Sequence, residues 1–151
     1  MAQALFANQR EANVQSIVAL VEEVIAELGV PSAPIQEPGA LHGWQLTRGS
    51  ATAKVTLVDR ANFTHLRVCS VVMTLDAKVD RPALHAHLLE LNASLCGSAF
   101  ATQGDHVLLL AERSTLDLDR SEVKDAITRV TETADDHDDV LVARFGGRMG
   151  A

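Results

Sequence analysis

The longest apolar run of the sequence, residues 68–75, constrains the fold more than any other stretch. It reads Val-Cys-Ser-Val-Val-Met-Thr-Leu, and β-branched residues of this kind are typical of strands. Apolar residues occupy both alternating sets of positions in its second half, which is the pattern of a central strand covered on both faces. The run therefore predicts a long central strand over residues 65–75.

A leucine-rich helix follows this strand. Asp80 suits the N-cap position, and Pro82 falls in the first turn, where its missing N–H costs nothing. Leucines then recur at spacings of four, three and four, and they form a narrow seam: Leu84, Leu88, Leu91 and Leu95. Gly97 ends the predicted helix, which we expect to pack on the sheet.

The remaining segments alternate between the period of about 3.6 residues that is typical of helices and the period of two that is typical of strands. Before the apolar run, the sequence predicts a helix over 13–28, a loop over 29–43, strands over 44–48 and 53–57, and a turn at 59–62. After the seam it predicts strands over 98–102 and 106–113 and a last helix from Asp119 to Phe145, which begins with an Asp119–Glu122 capping box. The order α-β-β-β-α-β-β-α indicates an α+β fold, with helices packed on a five-stranded, mainly antiparallel sheet.

Size and charge narrow the function classes. A chain of 151 residues favours a single domain over 1–151, and residues 1–12 and 147–151 are candidates for flexible termini. The net charge of −7 and the lack of a Lys/Arg cluster argue against direct nucleic-acid binding. No stretch is apolar enough to span a membrane, and no signal peptide is evident, so we expect a cytoplasmic protein without a membrane partner. Cys69 and Cys96 fit free thiols in a reducing compartment, although the sequence leaves a bridge between them open.

No residue constellation predicts catalysis, a metal or another cofactor. His85 and His87 lie two residues apart on a helix, so their side chains diverge too far to chelate one ion. The acidic stretch 135–139 lacks the glycine and the ligand spacing of a calcium loop, and a solvated helix face explains it better. We therefore expect no enzyme, and a metal-dependent hydrolase that uses His137 is kept only as a distant alternative.

Four residues are candidates for binding a partner or a second copy of the chain. Trp44 is the sole tryptophan, and such a residue either packs in the core or anchors a partner from an exposed sheet edge. On the helix that follows the central strand, Leu84, Leu88 and Leu91 could pack on the sheet or across a two-fold axis.

The second half of the chain resembles a known family. The stretches that carry the resemblance are Leu88-Leu89-Glu90-Leu91-Asn92-Ala93, then Phe100, then residues 107–112, and finally residues 143–147 at the end of the last helix. Together with the element order, they resemble the YbjN-like proteins and the type III secretion chaperones of the Tir-chaperone-like class. The resemblance covers roughly residues 13–147.

The resemblance implies a small, acidic, usually dimeric protein of bacterial type that binds extended segments of other polypeptides and is not an enzyme. The leading hypothesis is therefore a chaperone-like, homodimeric protein that binds another polypeptide. The alternative is a regulatory or adaptor protein that acts through protein contacts in a stress-response or nucleic-acid-handling pathway. The sequence identifies neither the partner nor the face that binds it.

Overall fold

The computed structural model describes residues 2–60 and 63–150. The helices within these residues are α1 (Ala2–Leu28), α2 (Arg81–Asn92) and α3 (Arg120–Phe145). The strands are β1 (Ser32–Pro34), β2 (Ala40–Arg48), β3 (Ala51–Arg60), β4 (Phe63–Thr74), β5 (Ala99–Gln103), β6 (His106–Ser114) and β7 (Arg148–Met149). Half of the turn predicted at 59–62 and the two terminal residues 1 and 151 lie outside the described residues.

All of these strands join one antiparallel sheet. Its order is β1-β2-β3-β4-β6-β5, and β7 pairs with the end of β4. The predicted α+β class and the order of the main elements are confirmed, but the sheet has seven strands instead of five. The two additional strands, β1 and β7, are too short to show a periodicity. In β1, Pro34 also argues against a strand, because proline is rarely found inside sheets.

The helices all pack on one face of this sheet. Residues opposite each other on neighbouring strands share a face, so Val55, Val68 and Ala111 form one row across β3, β4 and β6. All three are buried, because α3 crosses these strands and α1 packs against α3. The short helix α2 packs on β5. The core therefore lies between this face and the helices.

The predicted helix starts have the expected side-chain caps. Asp80 accepts a hydrogen bond from the Ala83 N–H at 3.1 Å. Asp119 accepts one from the Glu122 N–H at 2.9 Å, while the Glu122 carboxylate accepts from the Asp119 N–H at 3.0 Å. The capping box is thus confirmed, and it satisfies N–H groups that would otherwise lack partners at the start of α3.

The acidic stretch 135–139 is not simply a solvated face. Asp135 accepts hydrogen bonds from the Ser50 N–H at 2.9 Å and from the Ser50 hydroxyl at 3.0 Å. The Ser50 hydroxyl also lies 2.7 Å from Asp138, which is only 3% exposed. These carboxylates therefore anchor the turn between β2 and β3 to α3, and the helix runs unbroken through the stretch.

The first helix is longer than its periodicity predicts. α1 begins at Ala2, whereas the apolar stripe begins only at Val14. Among residues 9–28, whose side chains the structure describes, the buried positions are Ile17, Val21, Val24 and Ile25, and there α1 reaches the core. Across the described ranges 2–60 and 63–150, no helix combines the length and the apolar character needed to cross a membrane.

Candidate functional site: the helix-free face of the sheet

The face of the sheet opposite the helices carries a groove of about 570 Å³. Strands β2 to β6 form its floor, and the loop over residues 37–40 forms one wall. We call this surface the open face. Its central residues are Lys54, Thr56, Arg67, Cys69, Val71 and Leu108.

The middle of the open face is apolar. Val71 on β4 lies opposite Leu108 on β6, and Leu108 lies opposite Ala101 on β5, so the three side chains form one row. Cys69 lies on the same face of β4, two residues before Val71. Burial raises the pKa of the Cys69 thiol, and the smaller opposing effect of Arg67 does not cancel it. The thiol therefore stays protonated at neutral pH and contributes apolar surface to the groove.

The cations around this apolar row are all paired. Lys54 donates to Glu37 at 2.8 Å, and Arg67 donates to Glu112 at 2.8 Å. Arg60 also forms an ion pair with Glu112. Burial of the Glu112 carboxyl acts to raise its pKa, but the hydrogen bonds from Arg60 and Arg67 outweigh it, so the pKa lies below its usual value. With its charges balanced in this way, the open face suits a largely uncharged ligand better than a polyanion.

The two outermost strands of the sheet are β1 and β5. Just after β1, the Ile35 N–H donates to the Gly43 carbonyl of β2 at 2.9 Å. Because backbone groups alternate in direction along a strand, those of Ser32 and Pro34 point away from the sheet. Proline has no N–H, so β1 offers an incoming strand one donor fewer than an ordinary edge would.

The four residues predicted to bind a partner lie mostly in the core. Trp44 is 7% exposed, Leu84 and Leu88 are 0% and 4% exposed, and Leu91 is partly buried. Trp44 belongs to β2, whereas α2 packs on β5, and the three intervening strands separate them by about 19 Å at about 4.8 Å per strand. The structure thus does not bring Trp44 and the α2 leucines together, and their role in binding stays a prediction. The apolar residue that α2 presents to solvent is Leu89, which is 70% exposed.

Of the three histidines considered as ligands, His87 and His137 take part in packing, and His85 is exposed. The ring of His87 lies 5.5 Å from that of Phe145, and the ring of His137 lies 5.5 Å from that of Phe100. The His137 Nδ1 lies 2.8 Å from the Thr133 carbonyl oxygen. Within residues 2–60 and 63–150, no three or more His, Cys, Asp or Glu side chains converge as metal ligands would.

Sequence reasoning did not single out the residues of the open face as a binding site. Cys69 and Val71 belong to the apolar run that predicted the central strand, and their side chains lie on the face of that strand that the helices leave uncovered. The signal was present, since a strand with apolar residues on both faces needs cover on both. The sequence alone does not show whether the chain itself or a partner supplies the second layer.

Comparison with known proteins identifies the family to which the chain belongs. Residues 15–150 match the family model described as T3SS (YopN, CesT) and YbjN peptide-binding chaperone 1. None of the curated proteins matches the chain.

Two solved structures share the fold. A chain of the crystal structure of the ExsC–ExsE complex superposes with a TM-score of 0.57 at 14% identity, over 84% of this chain and 94% of that one. A chain of the crystal structure of the Yersinia pestis type III secretion chaperone SycH in complex with a stable fragment of YscM2 gives a TM-score of 0.53 at 19% identity, over 77% of this chain and 94% of that one. At these identities the likeness shows the fold alone, and the match to the family model extends over nearly the whole chain. This protein therefore belongs to the family of T3SS and YbjN peptide-binding chaperones.

Proposed function

We propose that this protein is a non-enzymatic chaperone that binds an extended segment of another polypeptide on the open face. The observation that carries the proposal is the apolar row of Val71, Leu108 and Ala101 on the sheet face opposite the helices, in which Leu108 is buried but Val71 and Ala101 remain partly exposed. A protein normally buries such a surface against another layer. In this proposal the bound segment supplies that layer.

The chemistry of the groove favours an extended, mainly apolar segment. The apolar row can receive every second side chain of an extended chain, because these side chains point to the same side. The rim holds neutral polar groups such as Thr52 and Gln45, which can hydrogen-bond to a peptide backbone. The cations Lys54 and Arg67 already have carboxylate partners, so they do not select for an acidic segment.

We further propose that the protein acts as a cytoplasmic homodimer. The solvent-facing side of α2 supports a contact between two copies, because its exposed positions include Pro82, Ala86 and Leu89 and few charges. This surface differs from the buried seam of Leu84 and Leu88, which the monomer already uses. Free thiols at Cys69 and Cys96 suit a reducing compartment.

The test is a charge placed in the groove. An array of short peptides with varied apolar and charged content first identifies a peptide that the wild type binds, and fluorescence anisotropy then gives its affinity. Val71→Glu puts a carboxylate into the half-buried apolar row, and we expect the affinity to fall by about tenfold or more.

Val140→Glu is the matched control. Val140 is 58% exposed on α3, on the helix side of the sheet, and the substitution changes the net charge by the same amount. We expect its affinity to stay within about twofold of the wild type, since exposed charges at a distance are screened. Equal losses in the two variants, or an unchanged affinity in Val71→Glu, would contradict a peptide site on the open face.

A further inference from the structure

The outer edge of β5 is occupied by a single side chain. The Phe100 N–H donates to the Asn92 side-chain oxygen at 2.7 Å, and the Asn92 side-chain nitrogen donates to the Phe100 carbonyl at 3.1 Å. A neighbouring antiparallel strand makes this same pair of bonds to one residue. The carboxamide of Asn92 thus imitates one residue of an additional strand.

The two edges of the sheet are therefore closed in different ways. Pro34 lacks the N–H that a partner strand would need at β1, and no movement can restore it. The closure at β5 depends on two hydrogen bonds from a side chain that can rotate away.

The position of Asn92 makes such a release local. It is the last residue of α2, and the two buried residues of that helix, Leu84 and Leu88, both precede it, whereas its neighbour Leu91 and the later Leu95 are only partly buried against the core. Neither helix nor regular strand follows until Ala99. Phe100 itself is fixed, because its side chain is 6% exposed and its ring packs edge-on against His137. A movement of the end of α2 would consequently break fewer buried contacts than a movement of β5.

We propose that Asn92 is an autoinhibitory strand mimic, which withholds the edge of β5 from the extended polypeptide that this chaperone binds. When the end of α2 moves away, the backbone groups of Phe100 and of Thr102, the next outward-facing residue, become available to the backbone of that polypeptide. The inference rests on the proposed binding of an extended polypeptide. It adds a second binding element, the edge of β5, which stays blocked as long as Asn92 is hydrogen-bonded to Phe100.

The test uses the full-length chain and a soluble synthetic peptide of alternating valine and threonine as the probe. Because a competing pair of hydrogen bonds no longer has to be broken, Asn92→Ala should bind this peptide roughly tenfold more tightly than the wild type. A version of the peptide with N-methylated backbone amides on one edge should show no such gain. Asn13→Ala, the same deletion at an exposed position of α1, serves as the matched control.

A second substitution locates the gain on β5. Thr102→Pro removes the next outward N–H, and we expect the double variant Asn92→Ala/Thr102→Pro to return to wild-type affinity. If Asn92→Ala fails to fold, Asn92→Asp keeps the acceptor for the Phe100 N–H and loses only the donor, so it should give a smaller gain in the same direction.

Three results would overturn the proposal: wild-type affinity in the Asn92 variants, an equal gain with the N-methylated peptide, or a gain that Thr102→Pro does not remove. Measuring Val71→Glu with the same probe separates this inference from the site on the open face. A loss in Val71→Glu without a gain in Asn92→Ala refutes the strand mimic alone. A gain in Asn92→Ala without a loss in Val71→Glu refutes the open-face site alone.

Discussion

Two adjacent leucines on α2 provide the sharpest test of how this helix is used. Leu88 is 4% exposed and packs into the core, whereas Leu89 is 70% exposed and points to solvent. Substituting each by alanine makes the same chemical change, with the same effect on intrinsic helix propensity. Any difference in stability between the two variants must therefore come from packing.

The structure sets the size of that difference. Replacing a buried leucine by alanine removes apolar contacts and leaves a cavity, which costs about 2–5 kcal/mol, so we expect about 3 kcal/mol for Leu88→Ala. Leu89 buries under a third of its surface within one chain, and the better helix propensity of alanine offsets part of the loss, so Leu89→Ala should stay within about 0.5 kcal/mol at a protein concentration low enough for the proposed dimer to dissociate. For a chain of this length, about 3 kcal/mol lowers the melting temperature by roughly 6–12 °C.

Urea unfolding followed by fluorescence is the appropriate assay. Trp44 is the sole tryptophan and is 7% exposed, so its emission reports the loss of the core. We expect Leu88→Ala to lower the midpoint with an unchanged slope, which indicates lost stability without a change in the surface exposed on unfolding. If Leu89→Ala costs as much as Leu88→Ala under these monomeric conditions, then the assignment of these two residues to core and surface is wrong.

Two further predictions concern the dimer and the acidic stretch of α3. Leu89→Asp should leave the fold intact but dissociate the proposed dimer, because it would bury a carboxylate in the interface. Light scattering should give twice the mass of one chain for the wild type and the mass of one chain for the variant. A variant of dimeric mass would exclude this side of α2 as the interface. Hydrogen bonds from the Ser50 N–H and hydroxyl hold the pKa of Asp135 below its ordinary value, so its contribution to stability is complete above an ordinary pKa of about 3.9 and is lost as the pH falls through the lower folded pKa. In urea titrations the stability difference between wild type and Asp135→Asn should shrink as the pH falls from about 6 to about 3, and a difference that is independent of pH would contradict this role for the carboxylate.

Much of the fold could be predicted from local signals. The capping box of Asp119 and Glu122 and the N-cap Asp80 act within one turn of their helices, so the residue types alone locate these starts. The seam of Leu84 and Leu88 likewise predicted which side of α2 is buried. The short strands β1 and β7 carry no such local signal, because the sheet they join defines them.

The contacts that close the sheet depend on distant parts of the chain. Asn92 and Phe100 are separated by a segment without regular structure, and Asp135 meets Ser50 across more than half of the sequence. The same reason explains why Trp44 could be read either as core or as a partner anchor. Only the packing of the helices decides which face of β2 is covered, and they cover the face that carries Trp44.

The apolar run that predicts the central strand also bears on function. Both alternating sets of its residues are apolar, which predicts that both faces of β4 are buried. Within the chain, α3 covers one of these faces. Cys69 and Val71, in the other set, are only half-buried on the open face. A domain that folds alone gains nothing from apolar residues at positions that its own elements leave uncovered, and pays for them in solubility. The doubly apolar pattern of this strand thus favours a second layer supplied from outside the chain, which is what the binding of an extended polypeptide on the open face would provide.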